Sequence, residues 1–218
     1  MPEPAPAAPR REPCVLVGVV LAAVAVSAVR PHDTPTWWME ALPVLLGLPL
    51  VVAFRRRFPL TPLLQRLLTL HALVLLVGAH YTYAQVPLGA WLEDLLGLQR
   101  NPYDRIGHLA QGFVPALLTR ELLLRTSPLR PGGWLRVLVT ATCLGFSALY
   151  ELIEWWTALA AGAAADAFLG TQGDVWDTQW DMAMCLVGAL LGQVLLARCH
   201  DRQLAALASH AGPGARRV

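Results

Sequence analysis

Long apolar runs separated by short polar stretches set the pattern of this chain. Six of the runs are close to the roughly 20 helical residues that a hydrocarbon core of about 30 Å requires. The pattern therefore predicts an all-α fold, a polytopic membrane helix bundle with about six transmembrane helices. The predicted spans cover residues 14–29, 38–54, 67–83, 104–124, 134–156 and 177–197.

A further apolar segment, residues 88–98, is too short to cross the membrane. Its sequence, LGAWLEDLLGL, places apolar and acidic side chains on opposite faces of a helix, which predicts a short interfacial helix. The residues expected to face lipid are Trp91, Leu92, Leu95 and Leu96, and those expected to face water are Glu93 and Asp94.

The two ends of the chain are polar and predict tails outside the bundle. Residues 1–13 are rich in proline and alanine and predict a disordered N-terminal tail, and residues 201–218 predict a polar C-terminal tail. The transmembrane domain is then 14–200. A cleaved signal peptide is the alternative interpretation of the first run, because residues 26–28 (VSA) resemble a small-residue cleavage site.

Composition supports the membrane interpretation, since 56% of the residues are hydrophobic and 15% are charged. The net charge of +2 gives no indication of nucleic acid binding. The four cysteines include no CxxC pair and are predicted to be small apolar residues rather than disulfide or zinc ligands. They are Cys14, Cys143, Cys185 and Cys199.

Charge is divided unequally between the two membrane faces. If the N-terminus is cytoplasmic, six spans place 14 of the 17 arginines inside, and 11 of the 15 acidic residues and seven of the eight tryptophans outside. This distribution follows the positive-inside rule and the preference of tryptophan for the interface. We therefore predict that the N- and C-termini are both cytoplasmic and that an acidic mouth opens at the outer face.

Three polar clusters interrupt the apolar sequence at the outer ends of the last three spans. Within each cluster, two side chains spaced three or four residues apart lie on one face of a helix. A rise of about 1.5 Å per residue puts the clusters at matched depth, and ionisable groups at membrane depth indicate function. The candidate catalytic residues are Asp104, His108, Glu151, Glu154, Asp177 and Asp181.

Carboxylates gathered in a low-dielectric pocket need a cation, a proton or Arg105 to offset their charge. A divalent metal ion is one solution, because one imidazole with several carboxylate oxygens suits Mn, Mg, Ca or Zn. Such an ion can activate a water or polarise a phosphoryl or carbonyl oxygen. The candidate metal ligands are His108, Glu151, Glu154, Asp177 and Asp181.

Two other interpretations stay open. A shared-proton network through His108, with an unperturbed pKa of about 6.5, fits a small transporter or proton-coupled carrier. A structural network, in which the acidic residues bond one another and Gln111 and Tyr150, fits a membrane scaffold. The carrier needs polar residues that continue inwards, whereas the spans are almost wholly apolar between the site and Arg120.

Several polar residues outside the clusters have weaker signals. Glu40, His71 and His80 are candidates to extend the site, although single polar residues near helix ends are commonly solvated or capped. Arg120 and Glu121, near the inner end of the fourth span, are predicted to extend to cytoplasmic water.

Glycines and loops give three further predictions. Gly188 and Gly192 form a Gly-x-x-x-Gly pair, which predicts close packing, including contact with a homo-oligomer or membrane partner through this face. Residues 170–174 (GTQGD) predict a tight turn that presents backbone amides. Asp166 is predicted to be a solvated loop charge.

Three blocks of sequence resemble the YjdF-like family of bacterial inner-membrane proteins, which is a domain of unknown function. The blocks are DRIGHLAQGFVP (104–115), SALYELIEWW (147–156) and ADAFLGTQGDVWDTQWDM (165–182). The resemblance covers the chain from the first span onwards and implies a location in the bacterial inner (cytoplasmic) membrane. It implies no reaction.

A looser similarity is to VanZ-like membrane proteins, which carry Asp-x-x-x-His, Glu-x-x-Gln and Asp-x-x-x-Asn on successive helices. The first element matches at positions 104 and 108, and the other two begin at Glu151 and Asp177. Glu154 and Asp181 stand where the pattern has Gln and Asn, which makes this site more acidic.

The expected function follows from the depth and the chemistry of the clusters. They lie at the level of the lipid headgroups, beside the interfacial helix and a rim of tryptophans. The clusters hold no Ser, Cys or Lys nucleophile, which favours direct attack by water. We expect a metal-assisted or acid-base hydrolase or transferase that acts on an envelope lipid or another amphiphile, with membrane lipids as its partners.

Overall fold

The computed structural model describes residues 11–161 and 171–210. Within those ranges the chain is all-α, as predicted. The helices are α1 (Glu12–Ser27), α2 (Thr34–Phe54), α3 (Pro62–Tyr81), a 3-10 helix (Tyr83–Gln85), α4 (Pro87–Leu96), α5 (Tyr103–Thr126), α6 (Gly133–Ala161) and α7 (Asp177–His210). Residues 1–10 of the predicted tail, Asp166 and residues 211–218 lie outside the described residues.

Four of the described helices, α2, α3, α6 and α7, are long and apolar enough to cross a membrane by length and composition. Helix α1 is apolar but has only 16 residues. Helix α5 has 24 residues and is more polar, because it carries Asp104, Arg105 and His108 at one end and Arg120 and Glu121 near the other. A polytopic helical bundle is therefore confirmed, whereas the number of six spans stays a prediction.

Capping groups set where the helices begin. The Asp33 side chain accepts a hydrogen bond from the Thr36 backbone N–H at 2.9 Å and caps α2. The Thr61 hydroxyl accepts one from the Leu64 N–H at 3.4 Å and caps α3. Helix α3 thus begins before residue 67, the predicted start of its span, and α7 continues as a helix beyond residue 197. Hydropathy finds the apolar part of a helix, whereas caps and helical propensity set its full length.

The predicted interfacial segment forms α4. The helix ends at Gly97, whose φ of 62° lies in the left-handed region that favours glycine. The large apolar residues Trp91, Leu95 and Leu96 are exposed, as expected for a lipid-facing surface. The short helix is therefore confirmed, and its position in the membrane interface stays a prediction.

Helices α5 and α7 form the central pair of the fold. A Cβ on Gly112 would overlap the carbonyl oxygen of Cys185, and one on Gly188 would overlap that of Leu109. Gly192 packs against the same helix, so the Gly-x-x-x-Gly face is buried within the chain. The prediction that this face binds a homo-oligomer or membrane partner is therefore wrong, because α5 already covers it.

Helices α1, α2 and α3 form a second packed group beside this pair. The Trp37 indole N–H donates to the Ser27 hydroxyl at 3.2 Å, and Ala41 and Leu76 lie in the shared apolar core. This packing fixes the face of α2 that carries Glu40, which is buried.

At the arginine-rich end, Arg120 and Glu121 are buried, with exposed fractions of 4% and 0%. The prediction that they extend to water is wrong. Glu121 accepts hydrogen bonds from the Thr61 N–H at 3.2 Å and its hydroxyl at 2.8 Å, and it pairs with His200 at 2.9 Å and Arg125 at 2.6 Å. Several donors surround the carboxylate and offset the loss of its hydration.

Arg120 completes this inner network. Its guanidinium lies 3.2 Å from the His200 Nδ1 and donates to Asp201 at 2.7 Å. The network joins the start of α3 to α5 and α7, and it holds the end of the bundle that lies opposite the predicted site.

Candidate functional site

The first turns of α5 carry two of the predicted site residues. Asp104 and His108 face each other across one helical turn, with 3.6 Å between the His108 Nε2 and the Asp104 Oδ1. His108 is 6% exposed. Tyr83 packs against Gly107, and a Cβ there would come within 2.8 Å of the Tyr83 ring. The 3-10 helix therefore supports this face of α5 directly.

Asp181, in the second turn of α7, joins them. Asp104, His108 and Asp181 each present one ligand atom, and these atoms lie within 4.8 Å of one another. The glycines that bring α5 and α7 together make this approach possible. The predicted meeting of these two clusters is therefore observed.

Helix α6 supplies the third cluster. The Glu151 Oε1 lies 3.8 Å from the His108 Nε2. Glu154 interacts electrostatically with Glu151 and Asp104. All three predicted clusters meet, and Glu154 lies beside the three-ligand group rather than within it.

Asp177, a predicted metal ligand, instead forms an ion pair with Arg100. Arg100 also lies 3.5 Å from Asp104 and 3.7 Å from Asp174. Arg100 is not among the predicted site residues, because the predicted span begins at residue 104. The available signal was its spacing of four residues from Asp104.

Arg105 was expected to offset the acidic residues, but it lies further out. Its guanidinium pairs with Asp174 at 2.5 Å and lies over the Trp180 ring, 5.3 Å from the ring centroid. Arg100 is thus the arginine that approaches the Asp104 side chain, and Arg105 lies nearer the outer surface, beside Asp174 and Trp180.

Glu40 extends the acidic cluster from α2. It is 4% exposed and interacts electrostatically with Asp104, Tyr83 and Tyr150. His80 is bound elsewhere, since its Nδ1 lies 2.9 Å from the Ser27 carbonyl oxygen. Of the residues considered as extensions, Glu40 therefore joins the site and His80 does not.

Several buried polar atoms in the cluster have no hydrogen-bond partner among the described residues. Buried polar groups are normally paired, so a set of unpaired atoms in one cluster needs an explanation such as an ion or water. The atoms are the His108 Nδ1, Gln111 Oε1, Ser147 Oγ, Glu151 Oε1 and Asp181 Oδ1. A purely structural network would pair Gln111, so this pattern counts against that interpretation.

The donor set fits a divalent ion. It offers one imidazole nitrogen and two carboxylates, a mixture accepted by Mn, Zn and Ca. Metal to ligand distances of about 2.0–2.6 Å place opposed ligand atoms roughly 4–5 Å apart. The 4.8 Å spread of Asp104, His108 and Asp181 falls in that range. Small side-chain rotations would bring the ligands onto a smaller ion.

A short segment crosses the mouth of the site just before α7. We call residues 171–176 the strap. Gln172 accepts a hydrogen bond from the Asn101 N–H at 2.9 Å and donates one to its carbonyl at 3.1 Å. Gln172 and Gly173 have φ values of 51° and 83°, which confirms the predicted tight turn for the described part.

Beside the strap lies a cavity of about 380 Å³. Its lining includes Asp174, Asp177 and Thr178, so the cavity reaches the start of α7 and the Arg100 ion pair. The pKa of Asp174 lies below its usual value, chiefly because the Trp176 backbone N–H donates to the carboxylate, with a further contribution from Arg105. Asp174 is therefore charged when it meets the arginines.

Comparison with known proteins identifies relatives of the chain. The family model described as predicted membrane protein (DUF2238) matches residues 12–202. The inner membrane protein YjdF of Escherichia coli (strain K12) is 53% identical over 178 residues, which cover 82% of this chain and 85% of that protein. No solved structure matches. The looser similarity to VanZ-like proteins stays a prediction.

Proposed function

The chain belongs to the DUF2238 family of predicted membrane proteins, and from that premise we propose that it is a metal-dependent hydrolase or transferase that acts on an envelope lipid or similar amphiphile. The proposal places it in the bacterial inner membrane with six spans and both termini cytoplasmic. A relative named as an inner membrane protein supports this location.

One observation carries the proposal. Asp104, His108 and Asp181, from two helices, bring ligand atoms within 4.8 Å of one another in a buried setting. The His108 Nδ1, Asp181 Oδ1 and Glu151 Oε1 are buried without a hydrogen-bond partner among the described residues. A metal ion would satisfy these atoms and offset the negative charge.

A bound divalent ion would supply a Lewis acid and an acidified water. The chain's own residues would accept the proton of the attacking water and stabilise the negative charge that forms. Glu151 is close enough to His108 to take a proton from an attacking water beside the ligand group. Arg100, next to Asp104, would stabilise negative charge that develops on the substrate.

The carrier alternative gains no support from the described residues. Between the site and the inner network lies an apolar cluster that includes Leu117, Val139 and Ala189, each 0% exposed. Such a barrier blocks a polar path through a single chain. A site that opens on one side fits an enzyme better.

The orientation can be tested with cysteine labelling. In a variant without native cysteines, Val175→Cys is expected to react with an impermeant thiol reagent in intact cells, because Val175 is 85% exposed on the strap. Arg56→Cys, at the arginine-rich end, serves as the matched control and should react only after lysis. Labelling of position 56 and not 175 in intact cells would reverse the proposed topology.

The lipid composition of cells tests the activity. A strain that lacks the protein is expected to accumulate one lipid or lipid-linked species, and the wild-type gene should restore the profile. His108→Ala and Asp181→Asn should fail to restore it although the proteins are present at normal levels. His32→Ala, an exposed histidine outside the site, is the control. Full restoration by both site variants would reject catalysis.

A further inference from the structure

Two arginines near the outer end of the site both approach the half-buried Asp174 carboxylate. Asp174 lies 2.5 Å from the Arg105 guanidinium and 3.7 Å from that of Arg100. Arg105 also has a buried Nε without a hydrogen-bond partner among the described residues. The Arg105 donors are thus only partly used, and an anion that accepts more hydrogen bonds than Asp174 would fit better.

The carboxylate sits on the strap, which can release it. The strap is anchored to Asn101 through the Gln172 side chain, and Gly173, with its left-handed backbone conformation, separates this anchor from Asp174. An ion pair between partly exposed groups contributes little net stability. Asp174 can therefore leave the arginines while the anchor at Gln172 stays in place.

The neighbouring surface suits the level of lipid headgroups. Val175 and Trp176, next to Asp174, are 85% and 62% exposed. Trp91 on α4 is likewise exposed. Large exposed apolar and indole side chains around a charged mouth are typical of the membrane interface, where phosphate groups are abundant.

We propose that Arg100 and Arg105 bind the phosphate group of an anionic lipid and that Asp174 is a built-in competitor which this phosphate displaces. The inference deepens the proposed function and rests on it, because it names the substrate class of the same site. Guanidinium groups bind phosphate through paired hydrogen bonds, whereas Asp174 meets both arginines through its Oδ2 alone.

The cavity beside the strap gives the phosphate room next to Asp174 and Asp177. It has a volume of about 380 Å³ and extends from Asp174 to Asp177, which pairs with Arg100. Its size is within the range of small-molecule sites. A headgroup held there would lie next to Asp177, whose partner Arg100 also approaches Asp104.

Lipid binding to the purified full-length protein tests the inference. The probes are phosphatidylglycerol and phosphatidylcholine, presented in detergent micelles and detected by native mass spectrometry. Wild type should prefer phosphatidylglycerol. Asp174→Asn keeps the acceptor for the Trp176 N–H but removes the charge, and it should increase that preference about two- to fivefold. Arg105→Gln should reduce the preference and abolish the gain in the double variant.

Asp94→Asn on α4 controls for the loss of one negative charge at the same end of the bundle, and it should leave the preference unchanged. An equal effect of Asp94→Asn and Asp174→Asn would overturn the proposal, as would an unchanged preference in Asp174→Asn. Inorganic phosphate is added as a competitor. Displacement of the lipid at comparable concentrations would assign the site to soluble phosphate and overturn the lipid assignment.

Measuring metal content beside the lipid assay separates this inference from the proposed function, and His108→Ala should lose the metal and retain the lipid preference. Lipid preference in wild type without bound metal would support the arginine site and reject the metal. Bound metal in wild type without lipid preference would support the metal site and reject the arginine site.

Discussion

Replacing Glu121 by alanine is expected to lower the free energy of unfolding by about 3–5 kcal/mol, the loss typical of breaking a buried ion pair from one side. Glu121 is fully buried, and its carboxylate is the shared acceptor for Thr61, His200 and Arg125. Removal of the carboxylate leaves Thr61 and His200 fully buried without this partner. Thermal and denaturant unfolding of the protein in detergent micelles would measure the change.

Two matched variants make this result specific. Glu121→Gln keeps an acceptor for Thr61 but removes the charge that faces His200 and Arg125, so its effect should be intermediate. Asp94→Ala changes an exposed acidic residue on α4 and should stay within about 0.5 kcal/mol of wild type. A change below about 1 kcal/mol in Glu121→Ala would show that the inner network does not stabilise the fold.

The inner network also shows where reasoning from the sequence stops. Arg120 and Glu121 stand near the end of an apolar run, and snorkelling is the ordinary expectation for such residues. Their partners, Thr61 and His200, are distant in sequence. No local pattern pairs residues that far apart, so the network became visible only when α3, α5 and α7 were packed together.

The candidate site was more predictable because it depends on local spacing and depth. Asp104 and His108 share a helix face, and Asp181 was matched to their depth by counting residues from the inner ends. The structure brings these three together. Asp177 was assigned to the same group, but its neighbour Arg100 lies before the first turn of α5 and binds it instead. Hydropathy places the start of the fourth span at residue 104, which leaves Arg100 outside the predicted helix.

The sequence indicated that the Gly188 and Gly192 face packs closely against a helix, but it did not indicate which helix. The Gly188 and Gly192 pair correctly indicated close helix contact, since small residues let backbones approach. Whether the contacting helix belongs to the same chain depends on tertiary structure. In this fold the backbone of Leu109, on α5 of the same chain, packs against Gly188. Glu40 likewise carried a weak signal that gained meaning only when α2 placed it near Asp104.

Loss of bound metal on changing a site ligand is the second large effect that we expect. His108 supplies the only imidazole among the three described ligand residues, so His108→Ala removes the nitrogen donor. Asp181→Asn keeps the shape but removes the charge of a ligand that is 2% exposed. Each change should weaken metal affinity by at least about tenfold, since even indirect partners of metal ligands contribute 10- to 100-fold.

Three controls separate metal loss from misfolding. His32→Ala removes an exposed histidine and Asp94→Asn an exposed carboxylate, and both should keep the wild-type metal content. Asp177→Asn should also retain most of the metal, because Asp177 pairs with Arg100 rather than with the ligand group. Unfolding temperatures of all variants, measured after removal of metal, show whether each protein is folded.

The most direct test of the account is elemental analysis of the purified protein after equilibration with Mn²⁺, Zn²⁺ or Ca²⁺ and removal of unbound ions. The account predicts about one ion per chain in wild type for at least one of these metals, and a loss of that ion in folded His108→Ala and Asp181→Asn. An absence of all three metals from wild type, or the same content in wild type and both variants, would contradict it.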